Sequence, residues 1–271
     1  MTPDDFNLIR GILKKRSGLV LGDDKAYLLE SRLMPVARKH GMKTLDDVIA
    51  AVRSASTEAL LVDITEAMTT NESFFFRDNK PFDLFRDNVL PRLIESRASQ
   101  RGFRIWCAAA SSGQEPYSLS IILKEAERKL AGWKTEVVGT DISKEILDRA
   151  REGKYSQFEV QRGLPIQFLV KYFDKQGEHW TIKPDIGSMV VFKELNLLGN
   201  LAQLGKFDVV FCRNVLIYFD QPTKKEVLEK IAGLMPADGV LFLGGAETVL
   251  GITDKFEPVP GQRGIYKLTG K

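Results

Sequence analysis

Residues 103–130 read FRIWCAAASSGQEPYSLSIILKEAERKL, and three kinds of segment follow one another there. An apolar run ends at Cys107, a string of small residues runs from Ala108 to Gly113, and Gln114-Glu115-Pro116 then opens an amphipathic stretch. A short strand, a tight loop and a helix in that order form the repeating unit of a parallel α/β sheet. The loop is not a phosphate loop, because it has one glycine and no Gly-Lys-Ser ending. Glu115 is able to cap the helix, and Pro116 is expected to take its first position, where a missing N–H costs nothing.

The same alternation continues downstream. TEVVGTD is a strand ending on Asp141, Ser143 opens a helix, and Gly153 closes it. VVFKELN, FDVVFC and GVLFLGG supply three further strands, the last two separated by a helix that Pro222 begins. FEPVP and GIYKL flank Gly-Gln-Arg-Gly and are expected to pair as an antiparallel hairpin. Between Gly153 and Val190 lie more than thirty residues, too many for an ordinary connection. They are expected to form a small inserted subdomain, about 156–189, with a helix followed by a β-hairpin.

Upstream the period changes to that of helices. Phe6, Ile9, Ile12 and Leu13, then Leu29, Leu33 and Val36, then Leu45, Val48, Ile49 and Val52, then Leu60, Leu61, Ile64 and Met68 recur at helical spacing. Asp23 or Asp24, Thr44 and Ser56 stand where N-caps are expected. The expected organisation is an all-helical domain over 1–72, a linker over 73–89 and an α/β domain over 90–271.

Composition bounds the function. A chain of 271 residues with 44% hydrophobic residues buries a substantial core, and a net charge of +3 does not point to nucleic acid. MTPDDFNLIR has acids where a secretory signal carries bases, and no apolar run approaches about 18 residues. A cytoplasmic location without membrane insertion is expected, and monomer is the default because no long heptad appears. Two cysteines outside any ligand spacing and two histidines argue against a metal site.

In an open parallel sheet, ligands bind beyond the carboxyl ends of the strands. Ala108–Gly113 and Glu115 follow the first strand, Asp141 ends the second, Asn196 follows the third, and Arg213-Asn214 follow the fourth. An acid at the end of the second strand suits a ribose diol, although it also suits a helix cap. Glu115 would repel a pyrophosphate and attract a cation; its alternative is likewise a plain cap. A ligand with a ribose, no phosphate and a positive charge describes S-adenosylmethionine better than NAD.

MTTNESFFFR, WCAAASSGQEPYS, GTDIS, NLL and FCRNVLIYFD together closely resemble the CheR family, the chemoreceptor glutamate methyltransferases of bacterial chemotaxis. The resemblance runs in order along nearly the whole chain. It implies a Rossmann-like S-adenosylmethionine-dependent methyltransferase fold, mostly parallel with an antiparallel C-terminal hairpin, preceded by a helical domain. The implied activity is methyl transfer from S-adenosylmethionine to glutamates of receptor cytoplasmic helices, leaving S-adenosylhomocysteine. The resemblance further implies that Asn71, Ser73, Arg77, Glu115, Asp141, Asn196, Leu197, Arg213 and Asn214 line the cofactor, and that Arg77 and Tyr218 flank the reacting centre. Where the family often has threonine, Ser73 keeps the hydroxyl.

Lys25, Arg32 and Lys39 follow at seven-residue spacing with Arg38 adjacent, a basic row that a helix would place on one face, unless Pro35 kinks or splits it. A charge row is commonly just a solvated face, but the resemblance places Lys25, Arg32 and Arg38 toward glutamate-rich receptor helices. Family members that tether to a receptor tail carry a longer, glycine-rich turn in the insert. DKQGEHWTIK is short with one glycine, so tethering is expected to be weak or absent. Two other readings remain: a methyltransferase of the same fold acting on another protein or a small carboxylate, and a module that keeps the cofactor only as a sensed ligand.

Overall fold

The computed structural model describes residues 2–55 and 57–270. The chain divides into two compact units, one comprising the chain through Thr70 together with Tyr218–Lys224, the other Asn71–Ile217 and the chain from Lys225 onward.

The first unit is built from α1 (Pro3–Ser17), α2 (Ala26–Lys39), α3 (Leu45–Ala55) and α4 (Glu58–Met68). Their apolar stripes meet in one core of Phe6, Ile9, Leu13, Leu29, Leu33, Val36, Val48, Ile49, Leu60, Ile64 and Met68. Each such side chain contributes about 1.5–3 kcal/mol on burial, which is why the 3.6-residue period was readable. Thr44 caps α3 by accepting from the Asp47 N–H at 3.1 Å, and Thr57 caps α4. The cap expected at Ser56 lies outside the described residues. Neither Asp23 nor Asp24 caps α2, which instead grows out of a single 3₁₀ turn, Asp23–Lys25, with no side-chain cap. Both carboxylates are engaged elsewhere, Asp23 by Arg10 at 2.7 Å and Asp24 by Lys25 at 3.2 Å. Pro35 does not split α2; it sits on an exposed side, where water can serve the carbonyl that its missing N–H leaves.

The second unit opens with α5 (Lys80–Leu84), which passes through a π turn at Phe85–Val89 into α6 (Leu90–Ser96). The expected linker at 73–89 is therefore a packed segment. Phe75, Phe76, Phe82, Phe85 and Val89 join the core, since five apolar side chains in so short a stretch cost too much left in water.

Next come β1 (Gly102–Cys107), α7 (Gln114–Glu125), β2 (Lys134–Asp141) and α8 (Lys144–Glu152). The insert follows with β3 (Lys154–Ser156), α9 (Gln157–Gln161), α10 (Ile166–Tyr172), β4 (Phe173–Gln176), β5 (His179–Ile182) and α11 (Pro184–Gly187). The chain ends with β6 (Val190–Glu194), β7 (Val209–Cys212), α12 (Gln221–Gly233), β8 (Val240–Leu243), β9 (Phe256–Pro258) and β10 (Ile265–Leu268).

The main sheet runs β6-β2-β1-β7-β8-β10-β9. Its first five strands are parallel, while β10 pairs antiparallel with both β8 and β9, as the alternation and the C-terminal turn led one to expect. Strand order reverses between β1 and β7, and that switch point is where such sheets hold ligands. The insert carries its own antiparallel sheet, β3-β5-β4, the expected hairpin plus one strand that was not expected. It is clamped to the core by Phe75, whose ring meets Tyr155 at 4.9 Å and Phe173 at 5.5 Å, both edge-on. Gly163 has φ +87, and a Cβ there would fall 2.1 Å from the Phe75 carbonyl oxygen, so only glycine permits this approach.

Candidate functional site

Beyond the carboxyl ends of β1, β2, β6 and β7, five segments come together. The loop after β1 turns through Ser111 (φ +49) and Gly113 (φ +93) into α7. Gly113 is the N-cap residue, and Pro116 lies third in the helix rather than first. Glu115 does not cap α7, the alternative open to it; its Oε2 accepts from Arg213 Nη1 at 2.8 Å. Asp141 Oδ2 accepts the Ser111 N–H at 2.9 Å and Oδ1 the Ser143 N–H at 3.1 Å, so this acid pins the loops after β1 and β2. Asn196 follows β6, its Oδ1 accepting the Leu198 N–H at 3.0 Å, and Leu197 is buried beside it. The Leu195 N–H reaches the Asp141 carbonyl at 2.9 Å, which joins this loop to the end of β2.

Residues 71–78 lie across the loop after β1. Ser111 Oγ donates to the Asn71 carbonyl at 2.8 Å, and the Phe76 N–H donates to Ser118 Oγ at 3.0 Å. Arg77 donates to the Glu72 carbonyl at 2.8 Å and rests 5.4 Å from the Phe74 ring centre. Ser73 is half-buried in the same segment.

Arg213, after β7, is the centre of the arrangement. Its side chain is 1% exposed, its Nη2 donates to the Arg77 carbonyl at 3.0 Å and to Asp78 at 2.7 Å, and Phe82 lies under it. Burial pushes the Glu115 carboxyl above its ordinary value, against the pull of Arg213. Cys107 is buried beneath, its thiol pushed well up by desolvation and by Glu115. Of the six described non-glycine residues with positive φ, Phe76, Asp78, Ser111 and Asn214 belong to these segments and Asn79 directly follows one of them. Such conformations cost on the order of 1 kcal/mol or more each and gather at functional sites.

The structure thus brings Asn71, Ser73, Arg77, Glu115, Asp141, Asn196, Leu197, Arg213 and Asn214 into one unit. Tyr218, Lys25, Arg32 and Arg38 belong to the other, where Tyr218 is half-buried and its carbonyl accepts the Val20 N–H at 2.9 Å. Arg32 donates to the carbonyls of Met68 at 2.8 Å and Thr69 at 3.0 Å, so it closes the C-terminus of α4, whereas Lys25 and Arg38 are exposed. Two residues of the site went unnoticed in the sequence. Asp78 pairs with a partner 135 positions away, and Glu247 is a buried acid just past β8. The one signal for Glu247 was its place at another strand's carboxyl end, behind Gly244-Gly245.

A strand-order reversal with two acids and a buried guanidinium at the carboxyl ends suits a ligand with a ribose and charged groups, and the family match gives the class, an S-adenosylmethionine-dependent methyltransferase. Residues 71–265 match the model of the CheR methyltransferase, SAM binding domain, and residues 4–69 that of the CheR methyltransferase, all-alpha domain. The chain belongs to the CheR methyltransferase family. It is 43% identical over 265 residues to chemotaxis protein methyltransferase 1 of Pseudomonas aeruginosa and 40% identical over 265 residues to chemotaxis protein methyltransferase Cher2 of Pseudomonas putida, with 96% of each chain covered in both cases. The chemotaxis protein methyltransferase of Escherichia coli is 34% identical over 257 residues, covering 93% of this chain and 86% of that one. The residues present fit the cofactor. Arg213 Nε is buried without a hydrogen-bond partner among the described residues, a donor suited to an anionic group, and Asp141 and Glu115 offer carboxylates to a ribose and an ammonium.

Proposed function

We propose that the protein transfers methyl groups from S-adenosylmethionine to glutamate side chains on the cytoplasmic helices of chemotaxis receptors, giving glutamyl methyl esters. The observation that carries this reading is the convergence of the 71–78 segment, the loop after β1, Asp141 and Arg213 at the switch point. In this reading Asn71, Ser73, Arg77, Glu115, Asp141, Asn196, Leu197, Arg213 and Asn214 hold the cofactor. Asp141 takes the ribose hydroxyls, Glu115 the ammonium, and Arg213 the carboxylate. When bound, S-adenosylmethionine supplies an electrophilic methyl carbon on a sulfonium.

A glutamate with an ordinary pKa near 4.3 is anionic at neutral pH, so the acceptor needs no general base. What the protein provides is position and compensation for desolvating the anion. Arg77, steadied by Phe74 and the Glu72 carbonyl, orients the acceptor carboxylate, and Tyr218 lines the reacting centre. Lys25, Arg32 and Arg38 steer acidic receptor helices toward the helical domain; for Arg32 this comes in addition to its hold on α4.

The helical domain ends near residue 72, and the methyl-transfer domain takes in 73–89 and the insert near 156–189. The protein works as a monomer in the cytoplasm; among the described residues no helix is long and apolar enough to cross a membrane. Tethering to a receptor tail is weak or absent, in keeping with a turn of only Gly177-Glu178 between β4 and β5. Calorimetry with a receptor tail peptide checks this, and micromolar binding would refute it.

The main test is incubation with methyl-labelled S-adenosylmethionine and the cytoplasmic domains of the host's receptors. Label that mild alkali releases as methanol identifies glutamyl esters. Alkali-stable label, or none on any receptor, would overturn the assignment, and label on a small carboxylate instead would favour the other substrate class.

A further inference from the structure

Glu247 lies five residues past Phe242 in β8, is 9% exposed, and gathers five backbone N–H groups onto one carboxylate. Oε1 accepts from Val215 at 3.0 Å, Leu216 at 2.7 Å and Ile217 at 3.3 Å. Oε2 accepts from Asn214 at 2.8 Å and Gly244 at 2.7 Å. Four of these donors are consecutive residues of the loop after β7, which therefore wraps around a single anion. With five N–H donors on two oxygens, Glu247 is committed to its own backbone and is unsuited to a ligand.

The loop would not take this path unaided. Asn214 stands at φ +58, and four successive N–H groups in so tight a turn, Leu216 among them buried, would otherwise be poorly served. Charge-assisted bonds from one carboxylate satisfy them together and offset the backbone cost. The approach is so close that Gly244 admits no side chain: a Cβ there would lie 2.7 Å from Glu247 Oε2 and 3.0 Å from the Asn214 nitrogen.

We infer that Glu247 is the positioning residue of the cofactor site, holding the loop after β7 so that Arg213 and Asn214 face S-adenosylmethionine. The inference rests on the proposed cofactor contacts of those two residues. It acts through the backbone, and its effect is on the geometry of the loop rather than on the reacting atoms.

The test is calorimetric titration of the full chain with S-adenosylhomocysteine, alongside thermal melting, for Glu247→Gln, Gly244→Ala and Asn214→Ala. In Glu247→Gln, an amide NH₂ replaces one oxygen and confronts at least two of the N–H donors. The expected result is at least about a tenfold weaker binding by protein that remains folded at the titration temperature, with a raised KM for S-adenosylmethionine. A lowered melting point with affinity within twofold of the parent would make Glu247 merely structural and overturn the inference. If Glu247→Gln does not fold, Gly244→Ala crowds the same oxygen from the other side and must also weaken binding; unchanged affinity there overturns the inference. Asn214→Ala separates the two layers. Native affinity in that variant would overturn the reading of the loop itself, and the inference with it, whereas weak binding there beside normal binding in Glu247→Gln would overturn the role of Glu247 alone.

Discussion

Two arginines, one buried and one mostly buried, stand at opposite ends of the main sheet, each facing two acids. At the amino ends of the strands, Arg97 donates through Nε to Asp208 at 2.8 Å and through Nη1 and Nη2 to Asp238 at 2.7 and 2.6 Å. Asp208 in turn accepts the Arg104 N–H at 2.9 Å, so this guanidinium has every nitrogen in use and a well-served partner. At the carboxyl ends, Arg213 meets Glu115 and Asp78 but keeps a buried Nε with no hydrogen-bond partner among the described residues. Positive φ values crowd around Arg213 at Phe76, Asp78, Asn79 and Asn214, against one near Arg97, at Arg101 (φ +48). One end is completed by the protein's own groups, and the other keeps a buried donor that a ligand can take. In the proposed function, the same residue type does structural work at one end of a sheet and binding work at the other.

The comparison is broken most directly by removing each arginine. Arg213→Ala leaves Glu115 buried without its cation, so unfolding free energy should fall by about 3–5 kcal/mol and S-adenosylhomocysteine binding should disappear from calorimetry. Arg97→Ala should lower stability by about 2–3 kcal/mol in urea titrations yet leave cofactor affinity within twofold. If Arg97→Ala weakened binding as much as Arg213→Ala, the two ends would not differ in kind.

A smaller effect sharpens the electrostatics of the incomplete end. Burial raises the Glu115 carboxyl above the ordinary carboxylate value, so the folded protein holds that proton more tightly than the unfolded chain does. Its stabilising contribution is therefore present at low pH and is lost as pH rises through the raised value. Binding of an ammonium runs the other way, since it needs the anion. Cofactor affinity should rise with pH through the raised Glu115 value, and Glu115→Gln should both weaken binding about tenfold and flatten that pH dependence. A Glu115→Gln protein with the parent's affinity and pH profile would return Glu115 to the role of partner for Arg213.

How much of this was legible depended on how local each cause was. The helices of the first unit and the order of parallel strands show in the sequence because their apolar periods act within a few residues. The acids at the strand ends were legible too, because topology alone puts them near the switch point. The cap alternative for Glu115 fails for a non-local reason, a guanidinium 98 positions away that competes for its carboxylate. The 73–89 stretch reads as a linker through Arg77, Asp78, Asn79 and Lys80, yet the phenylalanines around them fill the core. A strand of three residues, β3, is too short to show a period. Glu247 binds only backbone N–H groups, which every residue type carries, so nothing in residues 214–217 announces it.

The finest comparison uses two exposed acids in matched settings. Asp78 and Asp238 are each about half exposed, 52% and 49% by side chain, and each holds one edge of a buried or mostly buried guanidinium. Solvent screening limits either contact to below about 1 kcal/mol of stability, so Asp78→Asn and Asp238→Asn should melt within a few degrees of the parent. Their effects on binding should nevertheless part. Asp238→Asn leaves Arg97 on Asp208 and should not change S-adenosylhomocysteine affinity at all. Asp78→Asn removes one of the two anions that orient Arg213 while asparagine keeps the φ +69 turn, so affinity should fall several-fold while stability barely moves. Equal affinities in the two variants would mean that Arg213 is held by Glu115 and the Arg77 carbonyl alone, and that the strained 76–79 turn serves the packing of Phe76 and Phe82 rather than the cofactor.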